Sequence, residues 1–300
     1  MPSLATHYCF ALSVKDEVSD FYPFALGAQG PDPFFFRPFC LNPFIAKRFK
    51  MIKYGSYLHR IDSAPLWMKM ISLSAEDDEL YSYVVGLLAH YAMDRTFHPF
   101  VYYRTGFDSE GHLREGHAFD HLYFEALLDS HAMKQAGVKI DTHRVLDCPR
   151  PILKKISALY VSADPEHTAK NCFLHAARTY RLAMRLLKSK RGIKRKMWKI
   201  FGKRSMLFAF STPPDTKEAD LRDVENAVHR EWKNPDTGAV HNESVGDLYR
   251  FSILDFKKGK EVFDRLRRGE DAYGDLVAYI GGLDHSGVRF GEKNKYSDPF

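Results

Sequence analysis

His90, Asp94 and His98 stand at positions i, i+4 and i+8 of one segment. On a helix such positions drift by only about 40° per step, so all three project from one face. His121 and Glu125 repeat the i, i+4 pairing on the following segment. Inward-facing imidazoles and carboxylates on neighbouring helices are how helical bundles hold metal ions. A donor set of nitrogen and oxygen without thiolate suits zinc, manganese or iron, with zinc favoured where the site is tetrahedral and partly open. Six of the fourteen histidines fall between His90 and His131. His112, His117, His131 and Asp129 crowd the same stretch, so a solvated polar face is the competing reading. His117 lies one turn before His121 and competes with it for the inward position. His121 is preferred because it alone precedes a carboxylate by four residues.

The elements that must position these groups are helices, because most of the chain carries helical rather than alternating apolar spacing. Ser74 followed by Glu76, Asp77 and Asp78 reads as a helix start with acids at the positive end of the dipole. The helix is expected to run to Pro99, since the residue before proline avoids the α region. A second helix is expected over about Glu115–Gln135, ended by Gly137. Asp164 before Pro165 signals a third, reaching about Lys190 and broken at Gly192. Thr216–Trp232 and Glu243–Arg268 complete a mostly helical picture. Gly27–Pro43, punctuated by glycine and proline, reads as an ordered loop or extended segment.

Composition narrows the class. With 300 residues, 45% hydrophobic and 27% charged, the chain is neither disordered nor collagen-like. No repeat or low-complexity linker is apparent, so residues 1–300 are expected to form a single domain. No apolar run approaches the roughly 18 residues of a spanning helix, and no secretory signal is visible. Cys9, Cys40, Cys148 and Cys172 are scattered and form no CxxC pair, as in a cytoplasmic protein with reduced thiols. The net charge of +6 is uneven: Arg178–Arg204 holds twelve Lys or Arg and no acid, so the remainder sums to −6. That segment interleaves Met, Leu, Ile, Trp198 and Phe201 with its cations. It suits peripheral contact with an anionic membrane or a nucleic acid, or else a solvated basic helix packed by its apolar side.

The string His90-Tyr-Ala-Met-Asp94-Arg-Thr-Phe-His98-Pro99, followed by His121-Leu-Tyr-Phe-Glu125, resembles the zinc-dependent phospholipase C superfamily. Four further pieces agree in order: THY around His7, GAQGPD ending at Asp32, GSYLH ending at His59, and WKNP with ESVGDLY. The likeness covers roughly residues 1–280 and is closest to an intracellular-looking bacterial branch. More distantly, it extends to the single-strand-specific zinc nucleases. The resemblance implies a compact all-α, multi-helix domain binding two or three zinc ions. One ion would take Asp32, His59, His90 and Asp94, and a second His98, His121 and Glu125. A third, sharing Asp94, would take His7 and the amino terminus. Asp32 is the implied general base. Secreted members begin with tryptophan after processing, where this chain has Met1-Pro2. They also step six positions from the aspartate to the next histidine, against four here.

The expected function is therefore hydrolysis of a phosphodiester by a zinc-activated water, with a phospholipid head group as the first substrate. A nuclease-like phosphodiesterase and a non-catalytic metal-binding protein are the alternatives. Phe34, Phe35 and Phe36 follow Asp32 directly and can either wall the site or fill the core.

Overall fold

The computed structural model describes residues 4–39, 50–107, 112–139, 145–189, 192–198, 200, 206–211, 217 and 222–291. The protein is all-α. The helices are α1 (Leu4–Ser13), α2 (Phe21–Gly27), α3 (Met51–Arg60), α4 (Ala64–Ser74), α5 (Asp78–Thr105) and α6 (His117–Gln135). They continue with α7 (Arg150–Ala163), α8 (Cys172–Leu187), α9 (Ile193–Trp198), α10 (Met206–Phe210), α11 (Val245–Arg267) and α12 (Tyr273–Ile280). Among the described residues the only sheet is an antiparallel pair, β1 (Trp232–Lys233) and β2 (Val240–His241), with Trp232 opposite His241. No described helix is long and apolar enough to cross a membrane. Cys9, Cys148 and Cys172 are free thiols, and Cys40 lies outside the described residues.

Helix α5 is the axis of the molecule. Most of its residues are buried on every side, because α2, α4, α6, α7 and α11 all pack on it. Buried apolar residues from Leu4 to Ile280 join in one cluster around it. Helices α2 and α5 approach each other closely. A Cβ at Gly86 would lie 2.4 Å from the Phe24 carbonyl oxygen, and one at Gly27 2.1 Å from that of Tyr83. Two glycines thus let the backbones touch, and the chain leaving α2 starts directly against the face of α5 that carries His90.

Several helix boundaries differ from those the sequence suggests. Pro99 does not end α5, which continues to Thr105. An interior proline costs about 3 kcal/mol, but burying a large apolar side chain returns about 1.5–3 kcal/mol. Phe100 and Val101, both fully buried, offset the proline. Ser74 closes α4, its hydroxyl donating to the Met70 carbonyl; the N-cap of α5 is Asp77, whose carboxylate accepts from the Leu80 amide. Asp164 follows α7 rather than opening α8. Its carboxylate pairs with His167, and α8 starts only at Cys172, after Asn171 in a left-handed conformation. No helix covers the described part of 216–232, because Asp223, Asn226 and His229 all have positive φ and break the run. The stretch from Gly27 is not extended: it ends α2 and then forms a 3₁₀ helix over Asp32–Phe39, while residues 40–43 lie outside the described residues. The helix expected at Glu115–Gln135 begins at His117, and that at Glu243–Arg268 spans Val245–Arg267.

The α2–α5 contact leaves no room for a methyl group. Gly86→Ala should lower unfolding stability by about 1–3 kcal/mol, the usual cost of overpacking. Gly274→Ala in α12, where a Cβ meets nothing within 4 Å, should be neutral or slightly stabilising. Urea unfolding of both variants beside the wild type measures the difference.

Candidate metal centre

Four segments converge on the buried face of α5. Helix α1 brings His7, and its entry is fixed by Asp129 of α6. The Asp129 carboxylate accepts from the Ala5 and Thr6 amides at 3.2 and 2.7 Å, satisfying donors that a helix start leaves unpaired. The turn after α2 brings Asp32. Gly30 in that turn has φ +55°, and a Cβ there would lie within 2.2–2.5 Å of the His90 ring. Only glycine meets both demands. Helix α3 brings His59 near its C-terminus, and α6 brings His121 and Glu125. His7, Asp32, His59, His90, Asp94, His98, His121 and Glu125 are all buried.

These eight residues form three groups, each with ligand-type atoms within 4.8 Å of one another: His7, Asp32 and His90; His59, His90 and Asp94; and, separately, His98, His121 and Glu125. His90 Nε2 lies 3.0 Å from Asp94 Oδ2, His7 Nε2 lies 3.3 Å from Asp94 Oδ1, and His59 Nε2 lies 3.5 Å from Asp32 Oδ1. On α6, His121 Nε2 lies 2.8 Å from Glu125 Oε1. His98 and His121 stack with ring centroids 5.8 Å apart, which brings α5 and α6 together within the third group. His117 sits outside the cluster, its ring beside the Arg114 carbonyl. Of the three phenylalanines after Asp32, Phe35 lies beside the His59 ring at 5.2 Å, whereas Phe34 and Phe36 pack on Tyr54 and Tyr180.

The protonation pattern tests whether a cation fits. The Nδ1 atoms of His59, His90 and His98 lie 2.8, 3.2 and 2.8 Å from the carbonyl oxygens of Gly55, Ala28 and His285. A carbonyl only accepts, so each Nδ1 carries the hydrogen, and in the neutral ring Nε2 holds a lone pair. The lone pairs of His59 and His90 then face the oxygens of Asp32 and Asp94, which can only accept as well. His59 Nε2, His90 Nε2, Asp32 Oδ1 and both Asp94 oxygens are buried and make no hydrogen bond within the protein. Acceptors facing acceptors out of reach of water cost several kcal/mol unless a cation lies between them. Fixing the far ring nitrogen on a backbone carbonyl is also how metal-binding histidines are oriented. The buried His, Asp and Glu groups can therefore hold a metal ion.

The charges agree. Burial works against an ionised Asp94, yet the imidazoles of His90 and His98 hold its carboxyl well below the usual range. Burial also opposes a charged His90, but Asp94 and Asp32 raise its pKa above the ordinary 6.5. Burial, with His90 next to it, lowers His7.

His285 was not legible as part of this cluster. Its carbonyl takes the His98 Nδ1 hydrogen, its amide donates to the His59 carbonyl at 3.1 Å, and its ring lies 5.0 Å from that of His59. Asp284 shapes the turn by accepting from the Ser286 and Val288 amides. Gly287, at φ +72°, sits on α5 where a Cβ would meet the Arg95 carbonyl at 2.6 Å. One loop thus braces both ends of the cluster through backbone groups, which no spacing rule reveals. The glycines in GGLDHSG announce a turn, but not its destination.

Chelation should lower the melting temperature by several degrees, and added zinc should restore it, since saturation at 100 times Kd is worth about 2.7 kcal/mol. Asp94→Ala should lose more metal, by elemental analysis, than any other single change. Gly287→Val, which removes no ligand, should weaken binding by about 10–100-fold. Protons compete for His90, whose pKa lies above 6.5, so zinc affinity should already be falling as the pH drops towards 6.5 from above. Competition with a chromophoric chelator across pH reads this directly. No family model, curated protein or solved structure matches the chain, and the centre rests on its own geometry.

Proposed function

We propose that the protein is a zinc-dependent phosphodiesterase of phospholipase C type, acting first on phospholipid head groups. The observation that supports this reading most is the buried row His90, Asp94, His98 with further nitrogen and oxygen donors at both ends. In this reading Asp32, His59, His90 and Asp94 hold one ion and His98, His121 and Glu125 a second, with His7 and Asp94 serving a third. The amino terminus that would join His7 lies outside the described residues. Bound zinc supplies charge neutralisation at a phosphoryl group and a water acidic enough to react near neutral pH.

The chain's own residues supply the rest. Asp32 accepts the proton of the attacking water. It suits that task because it opens the 3₁₀ helix after α2, with Oδ1 3.5 Å from His59 Nε2 and 3.8 Å from His90 Nε2. Asp94 lies deeper, with no exposed surface, and serves as a holding group rather than a base. Phe35, three residues on, packs its ring on that of His59. The carbonyls of Gly55, Ala28 and His285 hold the imidazoles in one tautomer throughout a cycle.

A general base contributes about 10²–10⁴-fold, so Asp32→Asn should reduce turnover by that factor at equal metal content. Turnover of a phosphocholine ester, a bis-aryl phosphate and single-stranded DNA should be compared with and without chelator. Chelator-sensitive cleavage of the choline ester is the expected result. Cleavage of DNA instead would make the protein a nuclease, and no turnover by fully metallated protein would make the centre structural.

A further inference from the structure

We infer that α9 and the residues beside it form a docking face for an anionic lipid bilayer. Ile193, Met197 and Ile200 are 61%, 54% and 85% exposed, and Leu186 at the end of α8 is 49% exposed. With the exposed Lys196, Ile193 and Met197 fall at i, i+3 and i+4 and share one face of α9, and the exposed Ile200 stands two residues beyond its end. A surface helix ordinarily turns such aliphatics to the core. Here the inward side is taken by other groups. The Arg195 guanidinium donates to the Tyr123 hydroxyl and lies over the Phe208 ring at 4.5 Å. Trp198 packs against the main core. Lys194 Nζ donates to the Arg185 and Leu186 carbonyls, closing the end of α8. These three anchors fix the rotation of α9 and leave its aliphatics pointing outward.

The chemistry of the occupant follows from charge and side-chain type. Twelve cations without an acid between Arg178 and Arg204 call for an anionic partner. They also oppose a second copy, which would bring the same charge to the contact. Single-stranded nucleic acid is gripped by exposed aromatic rings on which bases stack. This face instead offers aliphatics, with Trp198 turned inward, which suits insertion among acyl chains beneath anionic head groups. The face also adjoins the metal-bearing helix, since Tyr123 lies between His121 and Glu125 in sequence on α6. Docking does not depend on turnover, so it stands or falls separately from the catalytic reading.

The test is co-sedimentation of the full chain with vesicles of phosphatidylcholine alone and with phosphatidylserine added. Binding should require the anionic lipid and weaken with salt. Ile193→Ser, Met197→Ser and Ile200→Ser together should lower the partition coefficient by about tenfold or more, with the melting temperature unchanged because all three are exposed. Ile200→Trp should shift its emission to the blue on anionic vesicles, reporting insertion. The inference is overturned by absence of binding to anionic vesicles, by equal binding of the triple variant, or by an Ile200→Trp emission that does not move. Tighter binding to single-stranded DNA than to anionic vesicles would overturn it too.

Discussion

Asp94 has no exposed surface; one oxygen meets His7 Nε2 and the other meets His90 Nε2, a ring whose hydrogen is committed to the Ala28 carbonyl. Negative charge and lone pairs are packed together where water cannot reach them. Such an arrangement is tolerable only when a cation occupies the space between, whether protons on the imidazoles or a metal ion. The surrounding fold holds this unfavourable set of neighbours in place.

That requirement explains features that otherwise look unrelated. The glycine contact between α2 and α5 lets the turn at Gly30, which leads into Asp32, lie against His90. Asp129 takes the first amides of α1, so His7 enters at a fixed angle. The loop at His285 ties the His98 ring to the end of the helix that carries His59. Each device fixes a stretch of backbone, which cannot swing away as a long side chain can. The ligand-type atoms are thereby pre-organised, and binding a cation has little ordering left to do.

The outer face of the protein shows the reverse arrangement. In α9 the cation Arg195 is drawn onto aromatic rings and aliphatics are left in solvent. A guanidinium stacked on a ring keeps its charge while covering apolar surface. The inner side of this short helix thus needs no aliphatics of its own.

The sequence by itself determined the helical class and the one-face alignment of His90, Asp94 and His98, because both depend only on the 3.6-residue period of a single helix. The same rule separated His121 from His117, and the structure has His121 inside and His117 outside the cluster. What tertiary structure decided was wherever packing outweighed a local signal. Pro99 stays within α5 because Phe100 and Val101 are buried beyond it, and Asp164 falls between two helices rather than at a start. The part of His285 was decided there as well: it acts through its carbonyl and amide, which every residue possesses. Only the path of the chain, turned over α5 by Gly287, brings those two groups to His98 and His59.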